Sequence, residues 1–407
     1  MAKLQKLYEN RIFRFTVIAV LALLAVVSVY RGIRNALEFS QDFQWDAAKA
    51  LCMRLDPYEL SKAPEEALKY PELEDFYRFF TDKGLKQKME ANQFPSLLML
   101  LFPMTVFTAG TARVIWLVLN ILFTAGIIIL LRKTFFEKAP AFEYTLIMLL
   151  MIAGTPYRNQ IGVGQHTLFA FFFFMLAVYL EKKKPAGSAP LYTGLTAFCL
   201  FVSYFKYTLT APLALYFIYK KRYAEFALSV AGHIVLTGAA AIWLKKSFLY
   251  MITAPLSVAS ALEGEGGIDL GVFLTGKSFY AAGAVIAVML VFLTVKMPEG
   301  MDHLLFSLLL LWAFIMTYHR TYDLFVLSAV SMLFFGTFAK DLGEKRRFFY
   351  MVYYSVLLLT VFFALRLFHE SRPSVVAAAL LYYLFTAVLT ADALRLPKEA
   401  YCASSDK

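Results

Sequence analysis

The chain has 407 residues, 60% hydrophobic and only 17% charged, with a mean hydropathy of +0.62 and a formal net charge of +11. Soluble domains are about 45–50% apolar and about 25% charged, and a globule of this length has too little interior to hide the difference. Soluble, secreted and disordered classes are excluded, which leaves an all-α polytopic membrane protein.

The first apolar run, 13–30, follows Lys3, Lys6, Arg11 and Arg14. It is long and lacks a small-residue cleavage site, so it reads as an uncleaved anchor. About 20 apolar residues cross a bilayer core, and the runs predict twelve spans. They lie near 14–31, 111–131, 141–156, 165–181, 190–205, 207–219, 223–245, 271–296, 303–318, 323–339, 348–368 and 373–394. A further run, 94–107, is short and carries Pro95 and Pro103. If it spanned, the Arg132, Lys133 and Lys138 cluster would face outward and break the positive-inside alternation. Read as interfacial or re-entrant, it leaves every basic cluster inside: the N-terminus, 132–138, 182–184, 220–222 and 340–347. Both termini are then cytoplasmic, and the excess charge is an orientation signal that needs no nucleic-acid partner. The fifth and sixth spans are short, and they predict a tilted hairpin or broken helices around Lys206.

The chain reads as one transmembrane domain, 1–407. A first extracytoplasmic loop, 31–110, carries juxtamembrane helices, and the rest of the bundle occupies 111–394. In the loop, Ser40 or Asp42 can cap a helix running to about Leu55. Asp42, Asp46 and Lys49 share one face of it, and Phe43, Ala47, Ala50 and Leu51 form the apolar face. Asp56-Pro57-Tyr58 breaks it, and Pro64 and Pro71 start two more short charged helices. Other polar groups gather on the same side. They are Arg158, Asn159, Gln165 and His166 after the third span, Lys206, the loop with Glu263, Glu265 and Asp269, and Tyr318-His319-Arg320-Thr321-Tyr322-Asp323. Polar residues at membrane depth are expensive, which suggests a site. Cys52, Cys199 and Cys402 share no compartment, so no disulfide is expected.

Several short motifs, in their order, resemble glycosyltransferase family 87 of the GT-C superfamily. They are Ser40-Gln41-Asp42-Phe43-Gln44-Trp45 with Ala47-Ala48, Asp56-Pro57-Tyr58, Phe94-Pro95-Ser96-Leu97, Gly162-Val163-Gly164-Gln165, Phe205-Lys206 followed by Lys220-Lys221-Arg222, and residues 319–323. Two departures are the single proline of Phe94-Pro95-Ser96, where the family more often pairs prolines, and a longer, more charged insert between Leu60 and Ala91. The resemblance implies a GT-C fold in a bacterial inner membrane, with the active site on the extracytoplasmic face. It implies a sugar, with mannose the default, moved from a polyprenyl-phosphate donor to a hydroxyl of a lipid-linked or cell-envelope glycan, with inversion. Asp42 is then the base.

A lipid phosphate is already a good leaving group, so one carboxylate can suffice where a glycosidase needs two. The phosphate needs cations and donors instead. The candidates are Lys206, Arg158, His319 and Arg320, with Asp46, Tyr58, Asn159, Gln165, Tyr322 and Asp323 in support. Asp323 can orient His319 or Arg320, and the prenyl tail can lie near 171–174. No cofactor is expected, and metal independence is predicted. Blander readings stand beside these. Asp42 can be only a helix cap, Asp46 a solvated helix-face acid, and Lys206 a turn lysine reaching water. Arg158 and Asn159 can satisfy loop carbonyls, and Gln165 can cap the fourth span. His319 and His166 can be interface histidines, the phenylalanine run can be lipid-facing bulk, and Glu263 and Glu265 can solubilise a loop. The rival function is a transporter or lipid flippase without chemistry. Such proteins place polar groups at mid-span and often carry repeats, and no internal repeat is found here.

Overall fold

A computed structural model describes residues 6–7, 9–39, 43–85, 88–137, 139–184, 189–262, 269–274, 276–297, 302–326 and 377. Among the described residues the fold is all-helical. The first apolar run is α1, Arg11–Glu38, whose N-terminal amides at Ile12 and Phe13 bond to the Asn10 side chain at 2.8 and 3.2 Å. It runs well past the predicted 31. The loop then folds as α2 Trp45–Cys52, α3 Pro57–Lys62, α4 Pro64–Ala67 and α5 Pro71–Thr81. Each of the last three starts with a proline, where a missing N–H costs nothing. Asp56 does more than break the first helix: its carboxylate caps the next one, accepting from Tyr58 N at 3.0 Å.

The 94–107 run forms α6 Pro95–Leu100 and α7 Phe102–Thr105. At 1.5 Å per residue, neither is long enough to cross a bilayer. The bundle follows as α8 Ala109–Phe135, α9 Ala141–Ala153, α10 Thr155–Val163, α11 Thr167–Lys183, α12 Ala189–Ser203, α13 Tyr207–Tyr219, α14 Tyr223–Leu244, α15 Phe248–Leu262, α16 Lys277–Lys296 and α17 Asp302–Met316. The predicted spans at 348–368 and 373–394, and nearly all of 323–339, lie outside the described residues.

By length and hydropathy, Arg11–Glu38, Ala109–Phe135, Tyr223–Leu244 and Lys277–Lys296 can each cross a membrane, the bent pair α10–α11 together can as well, and Pro190–Tyr219 passes the same test as one unbroken run. Val20, Leu23 and Val26 on α1, and Val288, Val291 and Val295 on α16, leave apolar surfaces exposed, as lipid contact requires. The protein is an integral membrane protein. Pro190–Tyr219 does not run straight. Lys184 Nζ bonds to Thr193 Oγ1 at 3.0 Å and Thr193 Oγ1 to Glu225 at 3.2 Å, while Arg222 pairs with Glu181 at 2.8 Å. The two ends of the run are therefore neighbours, and the chain turns back at a 3-10 turn, Tyr204–Lys206. This is the predicted hairpin.

Those contacts also collect the basic clusters at one end of the bundle. Lys182 Nζ meets the Thr134 carbonyl at 3.1 Å, and the Arg14 guanidinium lies 4.8 Å from the Phe142 ring. Lys138 and the 340–347 cluster lie outside the described residues.

The loop helices cap the opposite end. Trp45 Nε1 donates to the Met104 carbonyl at 3.1 Å, Trp243 Nε1 to Leu51 at 2.9 Å, and Lys246 pairs with Glu59 at 2.6 Å. Leu73, Phe76, Tyr77 and Phe80 of α5 are buried, each worth about 1.5–3 kcal/mol of burial. Phe76 is ringed by Trp45, Tyr77 and Phe80, so Phe76→Ala is expected to loosen this cap.

Candidate active site

Lys206 sits where α12 turns into α13. The Thr210 hydroxyl donates to the Ser203 carbonyl at 2.7 Å, which satisfies one acceptor freed by the end of α12. The lysine Nζ lies 3.3 Å from Asp323 Oδ2, with side-chain exposures of 12% and 0%. The lysine is thus the partner that a ligand can reach. Tyr322 adds its ring, 5.4 Å from the same ammonium.

Asp323 belongs to a 3-10 turn, Thr321–Val326, after α17. Its carboxylate also accepts from the Arg320 amide at 3.3 Å, from the Thr167 hydroxyl, and meets His319 Nδ1 at 3.1 Å. His319 Nε2 lies 3.0 Å from Thr317 Oγ1, so both ring nitrogens of this fully buried histidine are engaged. In this arrangement His319 holds Asp323 and does not face a ligand. The Arg320 Nε bonds to the Tyr318 hydroxyl at 2.8 Å.

The wall of the site comes from α10 and α11. The residues 155–163, read as a polar loop, are helical and bent 104° from α11. Pro156 enters the first turn of α10, and Gly164, at φ +70°, ends it. Only glycine takes that conformation freely. Gly162 and Gly32 lie at the crossing of α10 and α1, where a Cβ would meet Asn35 at 2.9 Å and Ile161 at 3.1 Å respectively. Arg158 and Asn159 are half-buried on α10, and Gln165 is buried, its carbonyl accepting from Gln160 Nε2 at 2.5 Å.

His166, read as an interface histidine, is 2% exposed instead. Its ring lies 4.5 Å from Phe205 and 5.9 Å from Trp116. It is held by the Phe43 carbonyl and feels the charges of Lys206 and Asp323. Its Nε2 is buried with no partner among the described residues, which costs about 1–3 kcal/mol and calls for a functional reason. Phe43 in turn stacks on Trp116 at 5.5 Å, and Trp116 Nε1 donates to the Gly164 carbonyl at 2.7 Å. The residue after Asp42 is therefore fixed against the Lys206 cluster. Asp42 itself lies outside the described residues, as do Ser40, Glu263 and Glu265. Helix α2 starts only at Trp45, after Gln44 in a left-handed turn at φ 61°.

Asp46 and Tyr58 are placed differently from their sequence readings. Asp46 is not a solvated acid. It is 6% exposed and accepts from the Tyr77 hydroxyl at 2.7 Å. Burial pushes its carboxyl up to about 6, partly offset by that hydrogen bond. The Tyr77 phenol, buried beside the carboxylate, is raised far above its ordinary value. Tyr58 is fully buried and braces the loop, its hydroxyl donating to the Gln93 carbonyl at 2.8 Å. The phenylalanine run is largely core. Phe171 and Phe174 are buried, and Phe174 stacks on Phe306 at 5.7 Å.

Sequence reasoning missed Thr167 and set its neighbour His166 aside as an interface histidine; it also missed Trp116 and Thr317. The first two directly follow the Gly162–Gln165 motif, which was the available signal. The other two acquire meaning only through contacts between distant segments.

A family model for glycosyltransferase family 87 matches residues 95–339, well over half of the chain. The chain belongs to glycosyltransferase family 87. It is a membrane glycosyltransferase. The match to the family begins at Pro95, so it takes in α6 onward, with Arg158, His166, Lys206 and the Asp323 cluster. Asp42, Asp46, Tyr58 and the charged insert precede it. No curated protein and no solved structure gives a significant match to this family-87 chain.

Proposed function

We propose that this protein transfers a sugar, mannose by family default, from a polyprenyl-phosphate donor to a hydroxyl of a lipid-linked or cell-envelope glycan, with inversion. Asp42 takes the acceptor proton as the hydroxyl oxygen attacks the anomeric carbon. The anomeric C–O bond breaks, and polyprenyl phosphate leaves with the electron pair. Lys206 neutralises the charge growing on that phosphate. Arg158 and Arg320 supply further donors from the same end of the bundle. Asp323, held by His319 and Thr167, fixes the lysine, and Tyr322 supports it from the side. Asn159 and Gln165 line the approach, and the orphaned His166 Nε2 offers a hydrogen bond to the bound sugar or phosphate. Asp46 and Tyr58 position the segment that carries Asp42. The reaction uses no cofactor and no metal ion.

The observation that carries this reading is the assembly of Lys206, Asp323, His166 and the Phe43 segment from four distant parts of the chain. It lies at the end of the bundle opposite the basic clusters. With those clusters cytoplasmic, the site faces the outer leaflet of a bacterial inner membrane. Twelve spans, with both termini inside, complete the topology. A flippase would place such groups along a path through the bundle rather than beneath a structured cap.

Purified protein given a polyprenyl-phosphate sugar and glycan-lipid extracts, with and without EDTA, tests the reading. Sugar transfer that survives chelation and is lost in Asp42→Asn supports it. Lipid movement across liposomes without any transfer would replace it with the flippase, and full activity of Asp42→Asn would remove the base.

A further inference from the structure

Arg113 lies on the second turn of α8 and is 4% exposed. Its Nε is buried with no hydrogen-bond partner among the described residues. The guanidinium carbon lies 3.4 Å from the centroid of Phe79 and 5.9 Å from that of Phe80, both on α5. Lys83 Nζ sits 3.9 Å from the same Phe79 centroid, so the ring carries two cations. The lysine also reaches the Glu38 carbonyl at the end of α1.

A cation near a helix end normally reaches out to water or headgroups. Here the charged insert covers the arginine instead. Contact with an aromatic face offsets only part of the cost of taking a charge out of water without a counter-charge. A second cation on the same ring adds repulsion. Two acids of the flanking helices α1 and α5 are otherwise engaged: Glu38 with Arg34 at 2.9 Å, and Glu74 with Arg78 at 2.8 Å. An anion would repair this arrangement, and a guanidinium fork matches a phosphate best. The place favours a lipid. Arg113 is one turn outward from Trp116 on the same face of α8, and Trp116 forms the wall against Phe43 and His166.

We propose that Arg113 binds a phosphate group carried by a membrane lipid, at an anion site separate from Lys206 and built partly by the charged insert. The phosphate comes either from the lipid-linked acceptor, which rests on the transfer reading above, or from a bulk anionic phospholipid. The variant Arg113→Met keeps the packing on Phe79 without the charge.

Detergent-purified protein is titrated with phosphatidylglycerol and with undecaprenyl pyrophosphate, and retained lipid is counted by native mass spectrometry against phosphatidylcholine. Wild type retains a phosphate lipid over phosphatidylcholine. Arg113→Met retains it about tenfold less, at an unchanged or higher melting temperature. Arg78→Ala, on the exposed side of α5, retains it fully. In transfer assays, a raised KM for acceptor with an unchanged KM for donor assigns the site to the acceptor, while unchanged values for both assign it to bulk lipid. Equal retention by wild type and Arg113→Met overturns the proposal, as does an equal loss in Arg78→Ala. The retention readout stands even if no transfer is found.

Discussion

The two ends of the bundle use charge differently. At the basic end, cations bridge neighbouring helices: Lys184 to Glu225 at 3.3 Å and Arg222 to Glu181 at 2.8 Å. These pairs register α11 and α14, and further lysines and arginines gather around them. At the capped end, charges are gathered inward. Asp323 is fully buried and takes four contacts, Lys206 stands in front of it, and Asp46 is sealed beneath α5. A cation at the first end ties neighbouring helices together, while Lys206 at the second is the more accessible partner of a fully buried carboxylate. The difference lies in surroundings rather than residue type. At the basic end Arg222 is 37% exposed, while at the capped end Lys206 and Asp323 are 12% and 0% exposed, so their attraction is screened less.

Substitutions at the two ends should therefore separate activity from stability. The largest expected effect is Asp42→Asn, which should lower transfer about 10³-fold without moving the melting temperature. Next comes Lys206→Met, expected to lower donor kcat/KM about 10²-fold, with Lys206→Arg recovering part of it. Asp323→Asn should lose both activity and about 3 kcal/mol of stability, because it removes the counter-charge of a buried lysine. An equal loss of activity on breaking Lys184–Glu225 would erase the contrast between the ends.

A smaller effect concerns pH. The Asp46 carboxyl is held near 6 in the folded protein, against an ordinary 3.8. The fold favours its neutral form, so its stabilising contribution is complete below about pH 4 and is lost as pH rises through 6, about 3 kcal/mol in all. Melting temperatures of the wild type and Asp46→Asn should diverge over that window, with the variant the flatter. Parallel curves would show that Asp46 does not titrate there. The smallest effect is Lys184→Met, expected to leave transfer rates unchanged and lower the melting temperature by a few degrees, for about 1 kcal/mol.

Much of this was open to reading from the chain alone. Long, continuous apolar runs in a membrane form helices, because the other backbone that satisfies its polar groups there, the closed barrel, needs strands of alternating polarity. Prolines at 57, 64, 71 and 95 mark helix starts, since their ring suits the first turn. The apolar face of Phe43, Ala47, Ala50 and Leu51 is buried as its spacing requires. Residues 155–163 were misread because three polar residues in a row look like a loop, yet a helix carries them when α1 and the Asp323 turn pack against it. Asp46 and His166 were misread because local pattern does not report what covers a side chain.

The sequence by itself determined membrane residence, helix identity, the side on which positive charge accumulates and the family. Each follows from local composition or from motifs kept in order. Only the tertiary structure decided that Lys206 stands before Asp323, that His319 faces inward, that His166 lines the site, and that Arg113 is a buried cation beneath the insert. These depend on contacts between segments far apart in the chain, which hydropathy and periodicity, as short-range quantities, do not encode.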